Sequence, residues 1–189
     1  MTAFPARCRR ARPAARLLAR TVVALALFGA PAAAHAAGAA AAGEYQVKAA
    51  FLKNFVKFVE WPLQPPALTL CILGEDPFKD ALKGTDDVGG GRSLSYRRVV
   101  AAQDTGGCQA VFVSHGQRAA IPELIAALNG KPVLTIGDSE GMAAAGLMLS
   151  FLVEEQKVRF EANLAPARSA GLTISSRLLG LARAVHNPR

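Results

Sequence analysis

The chain has 189 residues, 51% of them hydrophobic, and its 22 basic against 14 acidic residues give a net charge of +8. The excess sits at the start: Arg7, Arg9, Arg10, Arg12, Arg16 and Arg20 meet no acid there, and without them 16 basic residues remain against 14, a net of +2. A nearly neutral remainder gives no warrant for nucleic-acid binding, which would need a basic face on the domain, and the length leaves room for one domain.

In chain order, the basic stretch is followed by an apolar run from Thr21 to Ala34 and by Ala34-His35-Ala36, which fits the small-x-small rule for signal peptidase. These are the three parts of a secretory signal, so residues 1–36 read as a leader for the general export route. An uncleaved signal anchor is the competing reading, against which the run is short for a membrane span of about 20 residues. Residues 37–43 read as a small-residue linker and residues 44–186 as a single domain. Cys8 leaves with the leader. Cys71 and Cys108 remain as an even pair in an oxidising compartment, which reads as a disulfide. Two buried thiols or a metal pair are the alternatives, the latter disfavoured because His115 and His186 lack ligand spacing.

Glu44 to Glu60 carries apolar stripes at Val47, Phe51, Phe55 and Phe58 and at Ala49, Leu52, Val56 and Val59, predicting a helix buried on most sides. Trp61-Pro62 ends it. The phenylalanines read as core, whereas Trp61 reads equally as packing or as an anchor for a ligand or partner. Leu68–Leu73 is a strand buried on both faces. Asp76 and Pro77 then open a short helix through Lys83. Ser93–Val100 and Ala110–Ser114 are further strands. A helix over about Ala120–Leu128 precedes a fourth strand at Val133–Ile136 and a helical stretch at Ser139–Ala145. Leu147–Val153 and Lys157–Ala162 form a hairpin. Apolar residues at Leu164, Ala167, Gly171, Ile174, Leu178, Leu181 and Val185 predict a long C-terminal helix.

The pattern is an α/β fold: a mostly parallel sheet flanked by helices on both faces, with an antiparallel C-terminal hairpin and that long helix. In the common doubly wound order the first and third strands are neighbours, which brings Cys71 near Cys108.

Three motifs invite chemistry. Gly137-Asp138-Ser139-Glu140-Gly141 matches the G-x-S-x-G elbow of serine hydrolases, with Glu154, Glu155 or Glu161 and then His186 as partners. The blander alternative makes Gly137 a strand end and Asp138 or Ser139 a helix cap, and the position of His186 beside the C-terminus favours it. Gly89-Gly90-Gly91-Arg92 lacks the lysine and serine of a phosphate loop and reads as a turn. Ser114-His115 lies at a strand end, where adjacent side chains point apart. No cofactor or metal is expected.

Glu44-Tyr45-Gln46-Val47-Lys48-Ala49-Ala50-Phe51-Leu52, with Asn54-Phe55 and Phe58-Val59-Glu60-Trp61-Pro62, resembles the opening of YfiR-family periplasmic proteins. The resemblance continues through Cys71-Ile72-Leu73-Gly74, Cys108-Gln109-Ala110-Val111-Phe112-Val113-Ser114 and Val158-Arg159-Phe160-Glu161-Ala162-Asn163-Leu164, and closes over Ala170-Gly171-Leu172 to Leu179. It implies a non-enzymatic repressor in the periplasm that binds the periplasmic domain of an inner-membrane signalling protein, such as a diguanylate cyclase, and so affects cyclic di-GMP and biofilm. The docking surface expected is Lys57, Glu60 and Trp61. A second copy and a small ligand are further candidate partners. A periplasmic small-molecule binding protein and a hydrolase using Ser139 are the alternative functions. Lys53 stands where the family pattern has an aromatic, Met148-Leu149-Ser150-Phe151 replaces a stretch that carries asparagine, and a second cysteine pair is missing.

Overall fold

The computed structural model describes residues 32–187. The expected leader falls outside them save for its last residues. Those residues and the expected linker 37–43 are helical, in α1 (Ala32–Lys57). Two-residue β1 (Val59–Glu60) follows, then β2 (Ala67–Leu73), β3 (Thr85–Asp87), β4 (Ser93–Val99), β5 (Ala110–Val113), α2 (Ile121–Leu128), β6 (Leu134–Gly137), β7 (Leu149–Glu154), β8 (Lys157–Asn163), α3 (Leu164–Ser169), β9 (Thr173–Ile174), α4 (Ser176–Leu179) and β10 (Ala184–His186). Among the described residues no helix is long and apolar enough to cross a membrane.

The main sheet has eight strands in the order β10-β8-β7-β6-β5-β2-β4-β3. Strands β4, β2, β5, β6 and β7 run parallel, as the alternation of strands with helices and turns requires. β8 returns antiparallel to β7 as the expected hairpin, and the short β3 borders β4 antiparallel at the other edge. Parallel strands buried on both faces need cover on both, and the side chains alternate accordingly. Leu70, Ile72, Phe112, Ile136 and Phe151 join α1, Ala167 of α3 and Leu178 of α4 in one core. Cys71, Leu73, Val111 and Val113 join Ile121, Leu124 and Leu128 of α2 in the other. Within the α1 layer Phe55 stacks on Phe151 at 5.4 Å and meets Phe160 edge-on at 4.9 Å.

Three expected helices are corrected. α1 stops at Lys57 rather than Glu60, because Val59 and Glu60 extend to pair with Ile174 and Thr173 of β9. After β2, Asp76 accepts the Phe78 N–H at 2.9 Å in an Asx turn and only a 3-10 turn, Lys79–Ala81, follows. The stretch 139–146 is a run of turns, not a helix.

The long C-terminal helix does not form. α3 ends after one turn and a half in a Schellman cap: Leu172 N–H bonds Ala167 C=O at 2.9 Å and Gly171 N–H bonds Arg168 C=O at 2.9 Å. Gly171 takes φ +70, which suits glycine, and the β-branched pair Thr173-Ile174 then joins β1. The steps of three and four are met by α3, β9 and α4 in turn, while Leu181 and Val185 lie exposed.

Cys71 and Cys108 are joined, with Cα atoms 5.9 Å apart, on the α2 face. β2 and β5 are neighbours in register from Leu70–Ala110, which brings Cys71 beside the residues leading into β5. Lys53, the departure from the aromatic pattern, bonds Asp86 at 2.8 Å, and Tyr96 donates to the same carboxylate, tying the β3–β4 edge to α1. Both partners hold the Asp86 carboxyl below the usual range.

Two outcomes follow from this packing. Closing a loop of 37 residues should contribute about 4 kcal/mol. Reduction should therefore lower the melting temperature by roughly 10 °C in calorimetry. Free thiols in unreduced protein would disprove the bridge. Ser150 is fully buried and its hydroxyl has no hydrogen-bond partner. Ser150→Ala should then hold or raise the urea midpoint, because a buried unpaired hydroxyl costs about 1–3 kcal/mol.

Candidate functional site

Polar groups converge at the carboxyl edge of the parallel strands, where the amino-terminal half of the domain's first helix lies across the sheet. The buried stripe of α1 runs Lys48, Leu52 and Phe55, continued by Val59 of β1, all 3% exposed or less. A lysine in that company needs a partner, because an unpaired buried charge is far costlier than a paired one. Asp138, itself 3% exposed, follows directly after β6.

Lys48 Nζ lies 2.6 Å from Asp138 Oδ1, 3.0 Å from the Asp138 carbonyl oxygen and 2.6 Å from Glu44 Oε1. These three acceptors use all three ammonium hydrogens. Asp138 Oδ2 accepts the Tyr45 hydroxyl at 2.9 Å and the His115 backbone N–H at 3.2 Å. Burial, and next the Asp138 charge, push the Tyr45 phenol well above its ordinary range. Lys48 Nζ also lies 4.8 Å from the centre of the Tyr45 ring.

Two contiguous clefts share Tyr45, His115 and Asp138 as walls. One, of about 220 Å³, is closed by Glu140 and by Val153 of β7. The other, of about 480 Å³, lies between Glu75 and Pro77 beyond β2 and Ser114 and Gln117 beyond β5. The chain leaves β2 for β4 on one side and returns to β5 on the other. The larger cleft is thus at the topological switch point, where open α/β sheets bind ligands.

The elbow motif belongs to this edge, apart from the histidine expected to complete it. Gly137 is there because a Cβ would come within 2.5 Å of Met142 Cβ, not to expose a nucleophile. Ser139 does not act as a side-chain cap: its carbonyl, not its hydroxyl, receives the Met142 N–H at 3.4 Å. His186 does lie 3.4 Å from Glu161, on β10. Yet it stands level with Asn163, at the opposite edge of the sheet from Ser139 and three strands away. The pair is separated by roughly 13 Å along the strands and about 14 Å across them. Glu154 bonds Arg183 instead. His115 is exposed, and Gly89, Gly90 and Gly91 form a left-handed turn into β4 with no helix after it. Among the described residues no metal-holding cluster of His, Cys, Asp and Glu occurs.

The expected docking surface is only partly on the surface. Lys57 and Glu60 are exposed, but Trp61 is 3% exposed in the α1 core and donates Nε1–H to the Gln109 carbonyl at 3.3 Å. The two-residue pairing of β1 with β9 turns the ring inward, so Trp61 is a core residue and the exposed apolar neighbour is Leu63, 89% exposed. Sequence reasoning missed Tyr45, Lys48 and Asp138. The available signal was Lys48 itself, a charge on the stripe that Leu52, Phe55 and Val59 bury.

The sequence pattern of the YfiR/HmsC-like family matches residues 45–183. A conserved domain protein from Vibrio cholerae O1 biovar El Tor strain N16961 has a similar structure, with TM-score 0.52 and 11% identity, over 75% of this chain and 60% of that one. So does an ABC domain in complex with L-Trp from Streptococcus pneumonia, with TM-score 0.50 and 12% identity, over 75% of this chain and 62% of that one. At these identities the likeness concerns the fold alone, and this chain spans about three fifths of each structure's length.

Removing one partner of a buried ion pair costs about 3–5 kcal/mol, and replacing both by apolar groups recovers much of it. Lys48→Met should therefore lower stability in urea by that amount, and Lys48→Met with Asp138→Leu by clearly less than the two single losses added. Additive losses would show that the pair is not coupled.

Proposed function

The chain belongs to the YfiR/HmsC-like family, and from that membership we infer that it is a periplasmic regulatory protein without chemistry of its own. It binds the periplasmic sensor domain of an inner-membrane signalling protein, a diguanylate cyclase in the leading case, and inhibits it. Cyclic di-GMP then falls and biofilm formation with it. The match over residues 45–183 carries this reading. The Cys71–Cys108 bridge supports the compartment, since disulfides persist in oxidising surroundings. The separation of Ser139 from His186 supports regulation over hydrolysis.

A regulator without catalytic groups works by binding one state of its partner better than another, because equal affinity shifts nothing. The surface proposed for this is the end of α1 and the loop beyond it. Lys57 and Glu60 provide the polar rim. Leu63, exposed beside the buried Trp61, supplies the apolar anchor.

Leu63→Asp should keep the melting temperature and abolish photo-crosslinking to the membrane partner in cells, whereas Trp61→Ala should cost about 3–5 kcal/mol of stability. Deletion of the gene should raise cyclic di-GMP. An unchanged level, with no membrane protein crosslinked through residue 57 or 60, would overturn the reading.

A further inference from the structure

The charge on Arg97 is aimed at the disulfide. Its Nη2 lies 3.4 Å from Cys108 Sγ and 3.6 Å from Cys71 Sγ, and the carbonyl oxygens of Gly106 at 2.8 Å and Asp104 at 3.3 Å hold the guanidinium there. Arg97 has no carboxylate partner among the ion pairs of the described residues. The acids beside this loop are engaged elsewhere: Asp104 accepts the Ala101 N–H at 3.2 Å, and Glu123 accepts the Gln103 side-chain amide. A neutral disulfide is a weak acceptor and gains little from a full positive charge. A thiolate gains much, because an adjacent arginine stabilises the anion and makes it both more abundant and a better leaving group.

The two sulfurs differ in access. Cys71 is 0% exposed, inside β2 with β4 and β5 paired on either side of it. Cys108 is 4% exposed, in the loop before β5, and the two residues ahead of it, Gly106 and Gly107, are exposed and carry no side chain to shield it. An open cleft of about 620 Å³ lies over the same loop, walled by Arg97, Arg98, Gln103, Asp104 and Gly106. That space and its two arginines suit a peptide-sized thiol that carries carboxylates.

We propose that Cys108 is a thiol–disulfide exchange site activated by Arg97, and that the bridge is inserted through it. In the reduced chain the Cys108 thiolate attacks one sulfur of a small disulfide, forming a mixed disulfide and expelling the other half of the reagent as a thiolate. Cys71, losing its proton to water, then attacks Cys108 Sγ and expels the second half. The protein loses two electrons and the reagent becomes two thiols. Opening by a thiol follows the same path backwards, so Arg97 lowers the barrier in both directions. This chemistry belongs to the chain alone and is independent of any membrane partner.

Opening of the native, oxidised protein by excess reduced glutathione tests it, with the reaction quenched in acid and resolved by mass spectrometry. The first adduct should be glutathione on Cys108, and Arg97→Gln should slow its appearance roughly fivefold or more. A merely structural role for Arg97 predicts the reverse sign, because a loosened loop or a destabilised fold exposes the bridge and speeds opening. Cysteamine, a thiol without a carboxylate, should show the same slowing. An adduct on Cys71, opening of Arg97→Gln at the wild-type rate or faster, or slowing confined to glutathione, in which case Arg97 only attracts the reagent, would each overturn the proposal.

Discussion

A lysine and an aspartate, both inside the protein, hold the first helix to the sheet. Their burial means that each is tolerable only because the other is there, so the position of α1 over β6 is set to within a hydrogen bond. Hydrophobic contact alone would let a helix slide on an apolar sheet face, since such contact is roughly proportional to area and has no direction. The Lys48–Asp138 bond removes that freedom. Glu44 and Tyr45 converge on the same pair, one on the ammonium and one on the carboxylate.

With α1 so placed, the two faces of the sheet solve different problems. The α1 face is aromatic, built from Phe51, Phe55, Phe151 and Phe160, and is extended by α3 and α4. The α2 face has smaller side chains and includes the disulfide. There Arg97 reaches over Cys108 Sγ at 3.4 Å and bonds the Gly106 carbonyl oxygen at 2.8 Å, fastening the loop that leads into β5. The covalent bond lies on the face that α2 covers together with Ala102, Met142 and Leu147.

The switch-point cleft and the proposed docking surface occupy opposite edges of the sheet, and α1 reaches both. Its middle walls the cleft through Tyr45 and Lys48, and its last residue, Lys57, leads toward the exposed loop that carries Leu63. The chain crosses the sheet once between them. Most of the aromatic run of the opening motif is therefore interior packing, and the groups free to meet other molecules are its polar neighbours.

Much was legible in the sequence because it depends on local rules. Alternation of buried strands with helices dictates a parallel sheet. An even cysteine pair in an exported chain reads as a bridge, and a continuous apolar run such as Leu68–Leu73 reads as a strand with both faces covered. The tertiary structure decided the rest where two local readings were close in energy. Steps of three and four from Leu164 to Val185 suit a helix, but the left-handed Gly171 and the pairing of Thr173-Ile174 with Val59-Glu60 divide the segment, a long-range contact that periodicity cannot see. The same pairing turned Trp61 inward. Lys48 and Asp138 lie 90 positions apart in the chain, and a charge on an apolar stripe announces only that it needs a partner. Which partner it finds depends on the fold that brings the end of β6 beneath α1.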